Sequence, residues 1–132
     1  REPGVSAWRG MPAGTTIGHM HLHVGDIPGA ERFYADVIGF DVVVRRYPGA
    51  LFLSAGGYHH HLGTNTWARD ATAPAPDEAQ LLHWELVVTD RAEVQAIGER
   101  ICSSGDVILD DGAGAIIARD PFGTAVRIVS DA

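Results

Sequence analysis

The sequence predicts an α+β fold made of two paired βαβββ units. Three observations carry that expectation. An alternating strand, an amphipathic helix and three short strands succeed one another between about residues 16 and 66, and the same succession returns between about 81 and 130. The two copies keep register: His19 stands seven residues before Asp26, and His83 stands seven before Asp90. A glycine closes each helical stretch, Gly39 in the first copy and Gly105 in the second. Ahead of the repeat, REPGVSAWRGMPAGT is rich in Gly and Pro and lacks periodicity. Residues 1–15 therefore read as a linker or N-terminal extension, and 16–132 as one domain long enough to bury a core.

In TIGHMHLHVGD, Ile17, His19, His21 and His23 share one face of a strand while Met20, Leu22 and Val24 share the other. Asp26 is placed to cap the following helix, where Ala30, Phe33, Tyr34, Val37 and Ile38 recur at helical spacing. FDVVVRRY, ALFLSA and YHHHLGTN read as three strands, and WARDATAPAPDEAQ as a proline-bearing loop. In the second copy LLHWELVVTD is an alternating strand and RAEVQAIGERICSSG an amphipathic helix. DVILDD, AGAIIARD and TAVRIVS are three further strands, with DGAGA as a hairpin turn. Tyr34, on the first helix, and Trp84, on the helix-facing side of its strand, read as core.

Charge and cysteine usage exclude several functions. Seventeen acidic against ten basic residues give a formal charge of -7. Phosphate binding needs a basic patch, so neither nucleic acid nor an anionic membrane surface is expected as a partner. No apolar run approaches the ~20 residues of a spanning helix. Cys102 is the only cysteine. An intrachain disulfide is thereby excluded, a reducing cytoplasm is expected, and Cys102 itself reads as an apolar filler late in the second helix.

The histidines carry the chemistry. A lone histidine is ordinarily a satisfied or solvent-wet side chain. Three alternating on one strand, with more on neighbouring strands, shift the reading towards metal binding. The run His59-His60-His61 cannot share one face of a strand. His59 and His61 are expected to face the same way and His60 the opposite way, towards the helices or a partner molecule. Tyr58 and Trp67 bracket the run, either to stack on an aromatic ligand or to close the mouth of the fold.

The stretches IGHMHLHVGDIPGAERFYADVIGFDV, LLHWELVV and ARDPFGTAVRIVS resemble the vicinal oxygen chelate superfamily of glyoxalases, extradiol ring-cleaving dioxygenases and bleomycin-resistance proteins. The likeness covers nearly everything from Thr16 to Ser130. Within that superfamily, PAGTTIGHMHLHV and ALFLSAGGYHHHLGTNTW are similar to the second module of catechol-2,3-dioxygenase-like proteins. The resemblance implies a half-open eight-stranded barrel, with helices outside and functional residues facing a cup. It also implies metal ligands on the first and last strands of each half. Those positions fall on His19, on His61 (four residues after Gly57), on His83 and, four residues after Gly123, on Arg127.

Arg127 departs from the pattern, because extradiol dioxygenases place a glutamate there and a guanidinium cannot ligate a metal. Glu85, two residues from His83 on the same face, can supply the carboxylate instead. An all-imidazole set of His19, His61 and His83 is a second solution. A third is a metal-free cup in which Arg127 pairs with Glu85. The function expected from the resemblance is a metal-dependent ring-cleavage (extradiol catechol) dioxygenase-like module acting on a small aromatic diol. Fe(II) or Mn(II) is favoured, zinc or nickel also being suited to imidazoles. His21, His23 or His59 is expected to act as general base. The alternatives are a metal-free sequestration protein of the bleomycin-resistance type and a glyoxalase- or epimerase-like metal-dependent lyase. Open strand edges call for cover, by a homodimer or a preceding module of the same fold, with His60 and Trp8 at the contact.

Overall fold

Two four-stranded sheets, one from each half of the chain, form the framework of the computed structural model, which describes residues 8–72, 74–110, 112 and 114–131. The first comprises β1 (Met20–His23), β2 (Asp41–Val44), β3 (Ala50–Ser54) and β4 (Leu62–Asn65), in the order β1-β4-β3-β2. The second comprises β5 (Trp84–Val88), β6 (Ile108–Asp110), β7 (Ile116–Arg119) and β8 (Ala125–Ser130), in the matching order β5-β8-β7-β6. In each sheet the first strand runs parallel to the last, and the other pairings are antiparallel. The sheets do not close on one another, so the eight strands form a half-open barrel.

The helices follow their sequence signals with one addition. Helix α1 (Ile27–Glu31) begins at Asp26, whose side chain accepts from the Gly29 N–H at 2.7 Å. It runs on without a break into a π-helical segment, Arg32–Ile38, that buries Phe33, Tyr34, Val37 and Ile38. Helical spacing of apolar residues does not distinguish this wider turn from an α-helix. Gly39 ends it at φ 108°, a left-handed conformation that glycine adopts without penalty. The freed carbonyls of Val37 and Ile38 accept from the Arg100 guanidinium at 2.9 and 2.8 Å. Arg100 belongs to α2 (Arg91–Ser103), which Asp90 caps by accepting from the Glu93 N–H at 2.9 Å. The buried face of α2 is Val94, Ile97, Gly98 and Ile101. Cys102 lies one residue off that face and is exposed, so it does not fill the core.

One apolar core joins both halves. Leu22, Phe33, Leu51, Leu53 and Leu62 of the first half meet Trp84, Ile97, Ile101, Val126 and Ile128 of the second. Full burial of such a side chain contributes about 1.5–3 kcal/mol. Tyr34 and Trp84 are core residues as expected. The strands are shorter than their sequence runs. In particular, Tyr58–His61 precedes β4 as a loop, and His19 and His83 each stand just before a first strand. Residues 8–19 are largely exposed and hold no strand or helix. Residues 1–7 of the expected linker, and Asp111 and Ala113 of the DGAGA turn, lie outside the described residues. Among the described residues no helix is long and apolar enough to cross a membrane.

A buried polar link ties the π segment to the second sheet. The Tyr34 hydroxyl donates to Asp120 Oδ2 at 2.7 Å, while Asp120 Oδ1 accepts from the Phe122 and Thr124 N–H groups at 2.9 and 2.8 Å. Burial raises the Asp120 carboxyl above its ordinary range, outweighing those donors. A carboxyl raised on folding binds more protons folded than unfolded in the window above its ordinary value. Its contribution to stability therefore falls as pH rises through the folded pKa. Asp120→Asn keeps one carbonyl oxygen for the two backbone donors and removes the titration. Urea unfolding of both proteins across mildly acidic pH is expected to show the variant gaining on the wild type as pH rises. A constant difference between the two would contradict this.

Candidate metal centre

The parallel pairing of β1 with β4 decides which side chains meet. His21 is partnered with Gly63 and His23 with Asn65 across the ladder. Leu22 and Val24 point into the core, so the three first-strand histidines point out of it, as the alternation predicts. The His21 ring lies over the β4 backbone: a Cβ built on Gly63 would stand 2.5 Å from His21 Nε2. Glycine inside a strand often marks such a close approach, and this signal was present in HLGTN. Across the sheet, Phe52 of β3 packs its ring 5.8 Å from His21 and 5.0 Å from His60. Tyr47 extends the row, with its ring 6.1 Å from Phe52 and 6.4 Å from Trp67. This aromatic row was not foreseen; its members sit on three separate segments.

The histidine loop sits beside the end of β1. Gly56 and Gly57 turn it with φ of 64° and 77°, and His61 anchors its far end. The His61 N–H donates to Leu53 O at 2.8 Å, and its carbonyl accepts from Met20 N–H at 2.9 Å. His60 therefore turns towards its neighbouring imidazoles rather than towards the helices. Its ring lies 4.4 Å from His19 and 4.8 Å from His59. The expected alternation fails because the residues are looped rather than pleated. One ligand nitrogen from each of His19, His59 and His60 falls within 4.8 Å of the others. Desolvation lowers the His60 pKa first, and crowding by His19, His59 and His21 lowers it further. Tyr58 stacks at the edge of the cluster, 4.2 Å from the His59 ring and 4.7 Å from that of His61.

Two tautomers are fixed by backbone donors. Asn65 Oδ1 accepts from the Trp67 N–H at 3.2 Å, so that atom is the oxygen, and His23 Nδ1, 2.8 Å away, must donate to it. His23 consequently carries its lone pair on Nε2. The reverse holds at His61, where Nδ1 accepts from the Ala55 N–H at 3.2 Å and lies 3.3 Å from Ser54 Oγ. Neutral His61 thus presents an N–H at Nε2, and ligation through that atom would require the arrangement to change.

A second feature lies between the halves. A cleft of about 540 Å³ is lined by His19 and His61 from the first half and by His83 and Glu85 from the second. All four residues expected as ligands therefore share one cavity. Ile17, Leu81 and Leu86 supply its apolar wall. Glu85 is partnered with Arg127 across β5 and β8, and Arg127 Nη1 donates to Glu85 Oε2 at 2.6 Å. The side chains are 45% and 28% exposed, which places their pairing in the range of about 0–1 kcal/mol. Two imidazoles and a carboxylate are the donor types that hold a divalent transition metal with positions left open. The donor types suit such an ion, but Glu85 is held by Arg127, and among the described residues the ligand atoms that come within 4.8 Å of one another are those of His19, His59 and His60.

Paired βαβββ units around a histidine-lined cleft define a chelate-type cup domain. The chain belongs to the Glyoxalase/Bleomycin resistance protein/Dioxygenase superfamily, whose profile matches residues 16–128. It is 39% identical over 127 residues to the catechol-2,3-dioxygenase of Bacillus subtilis (strain 168), a match covering 94% of this chain and 44% of that protein. The chain thus spans less than half the length of this relative. The lactoylglutathione lyase of Agrobacterium tumefaciens shares the fold with a TM-score of 0.65, at 21% identity over 91% of this chain and 96% of that one. The trypanothione-dependent glyoxalase I of Leishmania major matches with a TM-score of 0.64, at 22% identity over 89% and 87% of the two chains.

The local geometry makes two predictions. Gly63→Ala is expected to keep the fold and displace the His21 ring, since the new methyl meets a side chain rather than backbone. A changed His21 ring resonance in NMR, with the β-sheet amide pattern retained, would show it; an unmoved His21 would contradict it. Long-range nitrogen–proton spectra above the histidine titration range should show His23 as the Nδ1–H form. In Asn65→Ala the same ring is expected to lose that preference.

Proposed function

We propose that this domain is a metal-dependent module of the ring-cleavage dioxygenase type, acting on a vicinal diol carried by an aromatic ring. The observation that supports it most is that His19, His61, His83 and Glu85, from both halves, line one cleft in a chain 39% identical to a catechol-2,3-dioxygenase. His19, His83 and Glu85 would hold an Fe(II) or Mn(II) ion, with His61 beside them as a hydrogen-bond donor through Nε2. A bound ion of this kind supplies Lewis acidity and a common meeting point for the two diol oxygens and dioxygen.

The chain's own residues supply the rest. Arg127, bonded to Glu85, stands beside the cleft, and its cation would favour a deprotonated diol there. His21 and His59 are the nearest candidates to take the hydroxyl proton, His21 lying two residues from His19 and His59 sharing its cluster. His23 has its lone pair at Nε2 but stands about 13 Å along the strand from His19 at ~3.3 Å per residue, which makes it a more distant candidate. Ile17 and Leu81 are exposed at the cleft and offer an apolar surface to a flat ring. The same surface would be covered by a second copy of the chain or by a preceding module of this fold.

The closed Glu85–Arg127 pair favours one other reading, a metal-free cup that sequesters a ligand. Anaerobic loading with Fe(II) or Mn(II), followed by an oxygen electrode with a panel of catechols, separates the two. The wild type is expected to take up one ion and consume oxygen only with substrate. His83→Ala is expected to lose both properties, and Arg127→Glu to bind the ion more tightly. A wild type that takes up no ion would leave sequestration as the better reading.

A further inference from the structure

The three-imidazole cluster at the histidine loop lies apart from the residues that complete the cleft, yet it shares His19 with them. We propose that His19, His59 and His60 form a second metal position, selective for a borderline cation such as Zn(II), that excludes a metal in the cleft by withdrawing His19. The inference rests on the cleft reading only for the exclusion; the site itself stands on the cluster.

Three arguments support it. The ligand nitrogens lie within 4.8 Å of one another. Around zinc they would need to approach to about 3.3 Å, given Zn–N bonds of about 2.0 Å and tetrahedral angles. His19 and His59 are exposed, so small side-chain rotations meet this need without disturbing packed residues. The loop is already positioned, because Gly56 and Gly57 turn it and His61 is hydrogen-bonded to both β3 and Met20. Little backbone ordering is then left for binding.

Selectivity follows from donor type. Three neutral imidazoles without a carboxylate suit zinc, cobalt or nickel, whereas the cleft offers Glu85 and so suits Mn(II) better. Exclusion follows from valence. A neutral imidazole has one nitrogen lone pair, so His19 can ligate in the cluster or in the cleft but not in both at once.

The test uses the full chain with the metals alone. Mn(II) binding is read by electron paramagnetic resonance and Zn(II) binding by competition with a chromophoric chelator. In the wild type one equivalent of Zn(II) is expected to release bound Mn(II). In His59→Ala/His60→Ala the Zn(II) affinity should fall by more than about tenfold while Mn(II) is kept. His83→Ala should do the opposite, losing Mn(II) and keeping Zn(II). Simultaneous occupancy by both metals in the wild type would overturn the exclusion. A Zn(II) affinity that follows His83 rather than His59 and His60 would overturn the site. Should the wild type bind no Mn(II), the cleft reading fails, the exclusion falls with it, and the Zn(II) affinities of the two variants still decide the cluster.

Discussion

Everything at the site depends on the parallel pairing of the first strand of each half with its last. A strand followed by a helix cannot pair in parallel with its immediate successor without a crossover, and here the crossover spans the helix and two further strands. Its result is that residues far apart in sequence become ladder partners: His21 with Gly63, His23 with Asn65, Glu85 with Arg127. The Tyr58–His61 loop leads directly into β4, so this pairing also delivers the imidazole run to the end of β1. Had β1 paired elsewhere, the seven histidines would have been scattered over the surface.

Hydrogen bonding then sorts the imidazoles. His23 and His61 each have one nitrogen committed, in opposite senses, by groups whose donor or acceptor role cannot change. His19, His59 and His60 instead crowd one another. In that arrangement desolvation, and after it the neighbouring imidazoles, hold the His60 pKa below its ordinary value. Residues of one type therefore divide into a directed acceptor, a directed donor and a crowded cluster. Chemical identity alone does not separate these roles.

The chain's resemblance to dioxygenases and its structural likeness to glyoxalases are compatible, because the superfamily shares a cup and differs in what the cup holds. Arg127 is the feature that sets this chain apart from the extradiol pattern. It faces the same side of its sheet as Glu85, opposite to the buried Trp84 and Val126, and is tied to that carboxylate at 2.6 Å.

Much of the fold was legible in the sequence because its signals are local. The period-2 alternation of β1, the Asp26 and Asp90 caps, the closing glycines and the equal His-to-Asp spacing each report a backbone preference that neighbours along the chain suffice to express. The cleft-lining places of His19 and His83 could likewise be read, since they recur with the repeat. Three things could not. The π turn within Arg32–Ile38 leaves the apolar spacing almost unchanged. The looping of Tyr58–His61 depends on where β4 gains its ladder partners, not on the β-propensity of the run. The tautomers of His23 and His61 depend on N–H groups of residues that adjoin them only after folding. Which residue types line the cup was thus a property of the sequence; which nitrogen lone pairs point into it was decided by tertiary hydrogen bonds between segments far apart along the chain.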